Sequence, residues 1–149
     1  MDKLYNNEAL LSCSILEMLK HGPMDYARLA LCLPLAVDDS IRTVFQECQG
    51  DRDVFISKLR TNSLLFLNRK YLEYQPSILN SLVILSQSGM IDYNRDMLFI
   101  DGIHTGKSEA DFKACSSRLQ QICGSIPLLI QMFTGLSNQE LYSELNIEL

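Results

Sequence analysis

FLNRKYLEYQPSILNSLVILSQSGMIDYNRDMLFI, residues 66–100, carries more information about the fold than any other stretch of the chain. Leu64, Leu67, Tyr71 and Tyr74 line one side of a helix expected from about 62 to 74. Pro76 suits a first helical position, where a missing N–H is harmless. Ile78, Leu79, Leu82, Val83 and Leu85 continue the apolar surface until Gly89 ends it. MIDYNRDMLFI, residues 90–100, alternates around Asn94-Arg95-Asp96, the pattern of a short antiparallel hairpin. Helix, turn, helix and hairpin in that order describe a winged helix-turn-helix over residues 62–101.

On the amino-terminal side, Leu11, Ile15, Met18 and Leu19 share a helical face within residues 8–21. Asn6 or Asn7 is the expected cap and Gly22-Pro23 the stop. YARLALCLPLAV, residues 26–37, follows Asp25 as a candidate cap. It is apolar on every side, which implies deep burial or burial against a partner. Pro34 is expected to kink or end this helix, because it lacks a donor and its ring meets the preceding turn. Helical patterns also fill 38–50, stopping at Gln49-Gly50, and 51–61.

On the carboxyl side, Ser108 with Asp111 makes a weak capping box. The helix behind it places Phe112, Cys115, Leu119, Ile122 and Cys123 on its apolar side, until Gly124, Ser125 and Pro127 interrupt it ahead of LLIQMF. Ser137 and Glu140 form a full S-x-x-E box that opens a last helix near 138–145. No repeat, low-complexity tract or linker divides the 149 residues, a length that suits one domain of about 100–150. The expected fold is a mainly α, single compact domain over 1–149, with a winged-helix-like subregion and one short β-hairpin.

Hydrophobic residues at 47% and charged residues at 21% are near the soluble-globular average and exclude wholesale disorder. Cys13, Cys32, Cys48, Cys115 and Cys123 form no C-x-x-C pair, and only His21 and His104 could supplement them as ligands. Buried, reduced thiols and no metal are therefore expected. MDKLYNNEALL lacks the basic and apolar regions of a signal peptide. The longest apolar stretch, Leu29–Val37, is far short of the ~20 residues that span a bilayer. A cytoplasmic location without membrane contact is the expectation.

GIHTGKS, residues 102–108, is the one tempting catalytic motif. A phosphate-binding loop needs four residues between its glycines, so that successive amides encircle a phosphate. Three separate Gly102 from Gly106, and Asp101 brings a negative charge to the first-glycine position. A turn and helix cap is the better reading. Asp38-Asp39 likewise suits a helix cap better than a metal site, having no further ligand nearby. No enzyme activity and no cofactor are expected.

Charge is uneven within a net of −5. Residues 1–57 hold five basic and nine acidic groups, 58–100 five and three, and the remainder three and six. The basic surplus of the middle segment nominates Arg60, Arg69, Lys70 and Arg95 as contacts to nucleic acid or a partner, with Arg95 at a hairpin tip. The expected second helix, 77–88, carries no Lys or Arg, a poor inventory for reading DNA.

Three segments together resemble one family. YNNEALLSCSILEML followed by LALCLPLAV is similar to the amino-terminal helix and leucine-proline-leucine segment of the middle component of bacterial three-component ABC systems. FLNRKYLEYQPSILNSLVILSQSGMI resembles that family's arginine-containing and proline-started helices with their glycine-ended turn. QELYSELNIEL resembles its terminal motif, with Asn146 where the family commonly has glycine. These systems pair an SMC- or Rad50-like ATPase with a variable effector and include Lamassu-type defence.

The resemblance implies a non-catalytic adaptor that contacts such an ATPase and an effector, with DNA secondary. The apolar segments nominate Leu31, Leu33, Pro34, Leu35, Leu128, Leu129, Met132 and Phe133 as docking surface. A standalone winged-helix DNA-binding regulator is the alternative.

Overall fold

The computed structural model describes residues 2–62, 66–100 and 117–147. Among the described residues, five helices and a two-residue strand precede the hairpin: α1 (Asp2–Leu19), β1 (Met24–Asp25), α2 (Tyr26–Val37), α3 (Asp39–Glu47), α4 (Arg52–Thr61) and α5 (Leu67–Gln87). The hairpin is β2 (Ile91–Asn94) and β3 (Met97–Ile100), followed by α6 (Ser117–Phe133) and α7 (Asn138–Glu144). The fold is mainly α with a small antiparallel sheet, and one apolar cluster runs from Leu11 to Ile147.

α2 lies at the centre and touches α1, α3, α5, α6, α7 and β1. Its composition explains the position: a helix apolar on every side has no face to give to water, and every residue from Leu29 to Val37 is buried. An aspartate closes each of its ends. Asp25 Oδ1 accepts from the Arg28 amide at 2.7 Å. At the far end the Asp38 amide donates to the Pro34 carbonyl while its side chain accepts from the Ile41 amide, so one residue ends α2 and caps α3. Asp51 caps α4, and Ser137 and Glu140 form the expected reciprocal box on α7.

The sheet order is β1-β3-β2, all antiparallel, with Met24 opposite Leu98 and Asn94 opposite Met97. Arg95 and Asp96 connect β2 to β3, and both have positive φ, 51° and 65°. That matches a two-residue turn whose twist suits a hairpin.

Several expectations need correction. α1 begins at Asp2, so Asn6 and Asn7 lie inside it instead of capping it. Pro34 does not end its helix, Pro76 is not at a first helical position, and Pro127 does not interrupt its helix: all three lie inside helices. The two helices anticipated over 62–88 are a single helix, α5. Tyr71, Ile78 and Leu85, spaced by seven, are all buried, so an unbroken apolar stripe crosses Pro76 and packing outweighs the lost hydrogen bond. The Gln75 side-chain amide donates to the Tyr71 carbonyl at 3.0 Å, one turn ahead of the proline. A three-stranded sheet beside a helical body is common to many small domains and does not by itself specify a winged helix. Leu64, the Ser108–Asp111 box, Phe112 and Cys115 lie outside the described residues.

Candidate functional site

The nominated cations do not form a patch. Arg60 is exposed near the end of α4, beside Asp53 and Glu144. Arg69 pairs with Glu73 at 2.9 Å on the first turns of α5. Lys70 reaches Asp38 at 3.0 Å and is largely covered. Arg95 sits on the hairpin tip, past the other end of α5. The eighteen residue steps from Arg69 to Gln87 correspond to about 27 Å of helix. Two of the four cations are thus engaged in ion pairs, and the set is spread over three elements.

The nominated docking residues are mostly core. Leu31, Leu33 and Leu35 are 1% exposed or less, and Pro34 is buried beside them. Leu129, Met132 and Phe133 are also buried, with Phe133 stacked on Phe55 at a centroid distance of 6.4 Å. Only Leu128 is exposed, packing near Gly50. The apolar surplus of 26–37 is consumed inside the chain, because α2 is surrounded on all sides by the chain's own elements.

The unpartnered apolar surface lies elsewhere. Among the described residues the exposed large apolar side chains include Leu72, Leu79, Val83 and Ile84 on α5 and Tyr93 on β2. Leu79, Val83 and Tyr93 are 51%, 53% and 59% exposed. Leu79, Leu82 and Val83 line a shallow groove of about 280 Å³ whose other wall is Ile91, Asp92, Tyr93 and Leu98. Leu72, Pro76, Leu79 and Val83 are spaced by four, three and four, one stripe of a helix. No charged residue occurs from Tyr74 to Ile91.

Sequence reasoning placed Leu79 and Val83 on a continuing apolar surface without separating them from the buried set. The signal was present: SLVIL places four consecutive apolar residues on a helix, more than one packed face accommodates. α1 covers the face bearing Ile78, Ser81 and Leu85, with Ser81 Oγ and Asn80 Nδ2 both donating to Glu8. The opposite face is left to solvent.

Two other features have local explanations. A cavity of about 230 Å³ beside Asp25, Arg28 and Cys32 adjoins the end of α6, where the Arg28 guanidinium donates to the carbonyls of Phe133 and Leu136. A cation at a helix carboxyl end is favourable. Burial pushes the Cys32 thiol up to about 12, so it is protonated and not a nucleophile at neutral pH. On the hairpin, the hydrogen bond from Tyr93 Oη to Asp96 at 2.7 Å raises the phenol above its ordinary value. No group of three or more potential metal ligands occurs among the described residues. Nor is any helix there long and apolar enough to cross a membrane. GIHTGKS, with His104, lies outside the described residues.

Comparison with protein-family models, curated proteins and solved structures returns no match. The functional reading therefore rests on the chain's own surface and on the resemblance of its segments.

Proposed function

We propose that this protein is a non-catalytic adaptor in a cytoplasmic defence complex, joining an SMC- or Rad50-like ABC ATPase to an effector. The observation that carries the assembly role is the uncharged apolar face of α5 with Tyr93 and the adjoining hairpin groove. A helix packed beside a β-hairpin is where a winged helix would read DNA, and DNA contact needs cations there. This face offers leucine and valine instead, the composition of a protein interface centre.

The partner classes come from the resemblance. The order α1-β1-α2, then α5-β2-β3, with β3 central, is compatible with a winged helix into which α3 and α4 are inserted. Asn146 adds support: its φ is 55°, a conformation that glycine adopts freely and asparagine tolerates best among the other residues. A glycine at this position would meet the same backbone requirement.

Co-expression of the tagged full chain with the genes encoded beside it tests the proposal. The expected result is a stable complex containing a large coiled-coil ATPase, retained after Arg60→Glu and Arg95→Glu together. Sequence-specific DNA binding by the isolated protein, with no ATPase retained, would favour the regulator instead.

A further inference from the structure

We infer that the cavity between the start of α2 and the end of α6 binds a free apolar amino acid of leucine size, its carboxylate on Arg28 and its ammonium on Asp25. The site shares no residue with the groove beside α5 and stands independently of the adaptor reading.

Two opposite charges line this cavity, and each is held by neutral groups alone. The Asp25 carboxylate accepts from the Arg28 amide at 2.7 Å and, at each oxygen, from Asn138 Nδ2 at 2.9 Å. The Arg28 guanidinium donates to the carbonyls of Phe133 and Leu136. Among the described residues neither charge is ion-paired, with the other or with any third side chain. The amino end of α2 faces Asp25 and the carboxyl end of α6 faces Arg28, but each supplies only about half an elementary charge. Hydrogen-bonding capacity also remains. A guanidinium has more N–H donors than the two used here, and a carboxylate more acceptor positions than the three used here.

The rest of the wall is apolar, with Cys32, Met97, Ile130 and Phe133 contributed by α2, β3 and α6. Cys32 and Phe133 are the deepest of these, each 1% exposed. A cavity of about 230 Å³ has room for about eight waters at about 30 Å³ each, and hence for a ligand of about nine non-hydrogen atoms. An uncharged ligand of that size leaves both charges unanswered, and a singly charged one answers only one. A zwitterion with an apolar side chain answers both and covers the wall. So small a ligand binds weakly, with an expected Kd of about 0.1–1 mM.

NMR titration of the methyl-labelled full chain with L-leucine, up to about 20 mM, tests this. The expected result is saturable movement of the Met97 and Ile130 methyl signals. Isovalerate, which lacks the ammonium, and isoamylamine, which lacks the carboxylate, should each bind at least about tenfold more weakly. Ile130→Phe fills the cavity from its half-buried side and should abolish the response while leaving the far-UV circular dichroism spectrum unchanged. Absence of saturable movement at Met97 and Ile130 would overturn the inference, as would movement confined to Leu79 and Val83. Singly charged analogues that bind as well as leucine would overturn the zwitterion assignment. A response that persists in folded Ile130→Phe would overturn the placement in this cavity. Should that variant not fold, the comparison of analogues on the unaltered chain decides the matter.

Discussion

Lys70 Nζ lies 3.0 Å from Asp38 Oδ1, tying the first turn of α5 to the residue that ends α2 and caps α3. Both side chains are mostly shielded, 20% and 16% exposed. The contact joins three helices through one carboxylate.

Lys70 therefore acts as a structural cation. Lys70→Met is expected to lower unfolding stability by about 1 kcal/mol, and Asp38→Ala by about 1–2 kcal/mol because the cap is lost as well. Urea titrations of both single variants and the double variant would show a coupling of about 0.5–1 kcal/mol. Additive losses would mean that the pair contributes nothing.

Leu33 and Leu128 separate core from surface within the segments nominated for docking. Leu33→Ala is expected to cost about 2–5 kcal/mol, since Leu33 is 0% exposed. Leu128→Ala should stay within about 1 kcal/mol, its side chain being 42% exposed. Chemical denaturation midpoints distinguish the two directly, and equal losses would contradict the central placement of α2.

Stability should fall at alkaline pH in a way that Cys32 controls. Its thiol titrates near 9.0 when unperturbed and is pushed up to about 12 by burial, with the Arg28 charge opposing and Asp25 adding to the rise. Between those values the unfolded chain releases a proton that the folded chain retains. The contribution of Cys32 is thus fully present below pH 9 and is lost toward pH 12, at about 1 kcal/mol per pH unit. Tyr142 acts in the same direction, its phenol raised by burial and by hydrogen bonding with Tyr71. Cys32→Ala should flatten the slope of denaturation free energy above pH 9; an unchanged slope would assign the alkaline loss to the tyrosines.

The hairpin turn is suboptimal for its conformation. Arg95 has φ of 51°, which is unfavourable for a side chain other than glycine, asparagine or aspartate. Arg95→Asn is expected to raise stability by roughly 0.5–1 kcal/mol, readable as a higher thermal midpoint. A lower midpoint would show that the guanidinium makes a contact outweighing the turn preference.

Local signals were legible at several helix ends that a short polar side chain caps, though not at the start of α1. Asp25, Asp38 and the Ser137–Glu140 box act where the sequence indicated, and Gln49-Gly50 and Gly22 mark breaks through their positive φ. Proline misled, because its local cost of about 3 kcal/mol is set against burial that only the folded chain reveals. Pro76 interrupts hydrogen bonding in α5, yet Tyr71 and Leu85 on either side of it are held by the same core. The interaction face was hidden for a related reason. Apolar pattern shows that Ile78 and Leu79 both prefer burial, but which one α1 covers is decided by tertiary packing. The basic surplus at 58–100 was a correct count with an incorrect geometry, since sequence proximity placed Lys70 with Arg69 and concealed Asp38, 32 residues away.

β3 is the middle strand, and one of its two neighbours, β1, was synthesised more than seventy residues earlier. During translation at about 5–20 residues per second, Met24 waits roughly 4–15 s before Leu98 exists to pair with it. Throughout that interval α2 lacks α6 and α7, and for most of it α5 as well, so part of its leucine surface is uncovered. The nascent chain should therefore engage hydrophobic-binding chaperones most strongly after residue 37 and lose them once α6 and α7 have been released. Messages truncated just after the hairpin would yield a product that completes its sheet yet stays chaperone-bound, because α2 would still lack the cover of α6 and α7.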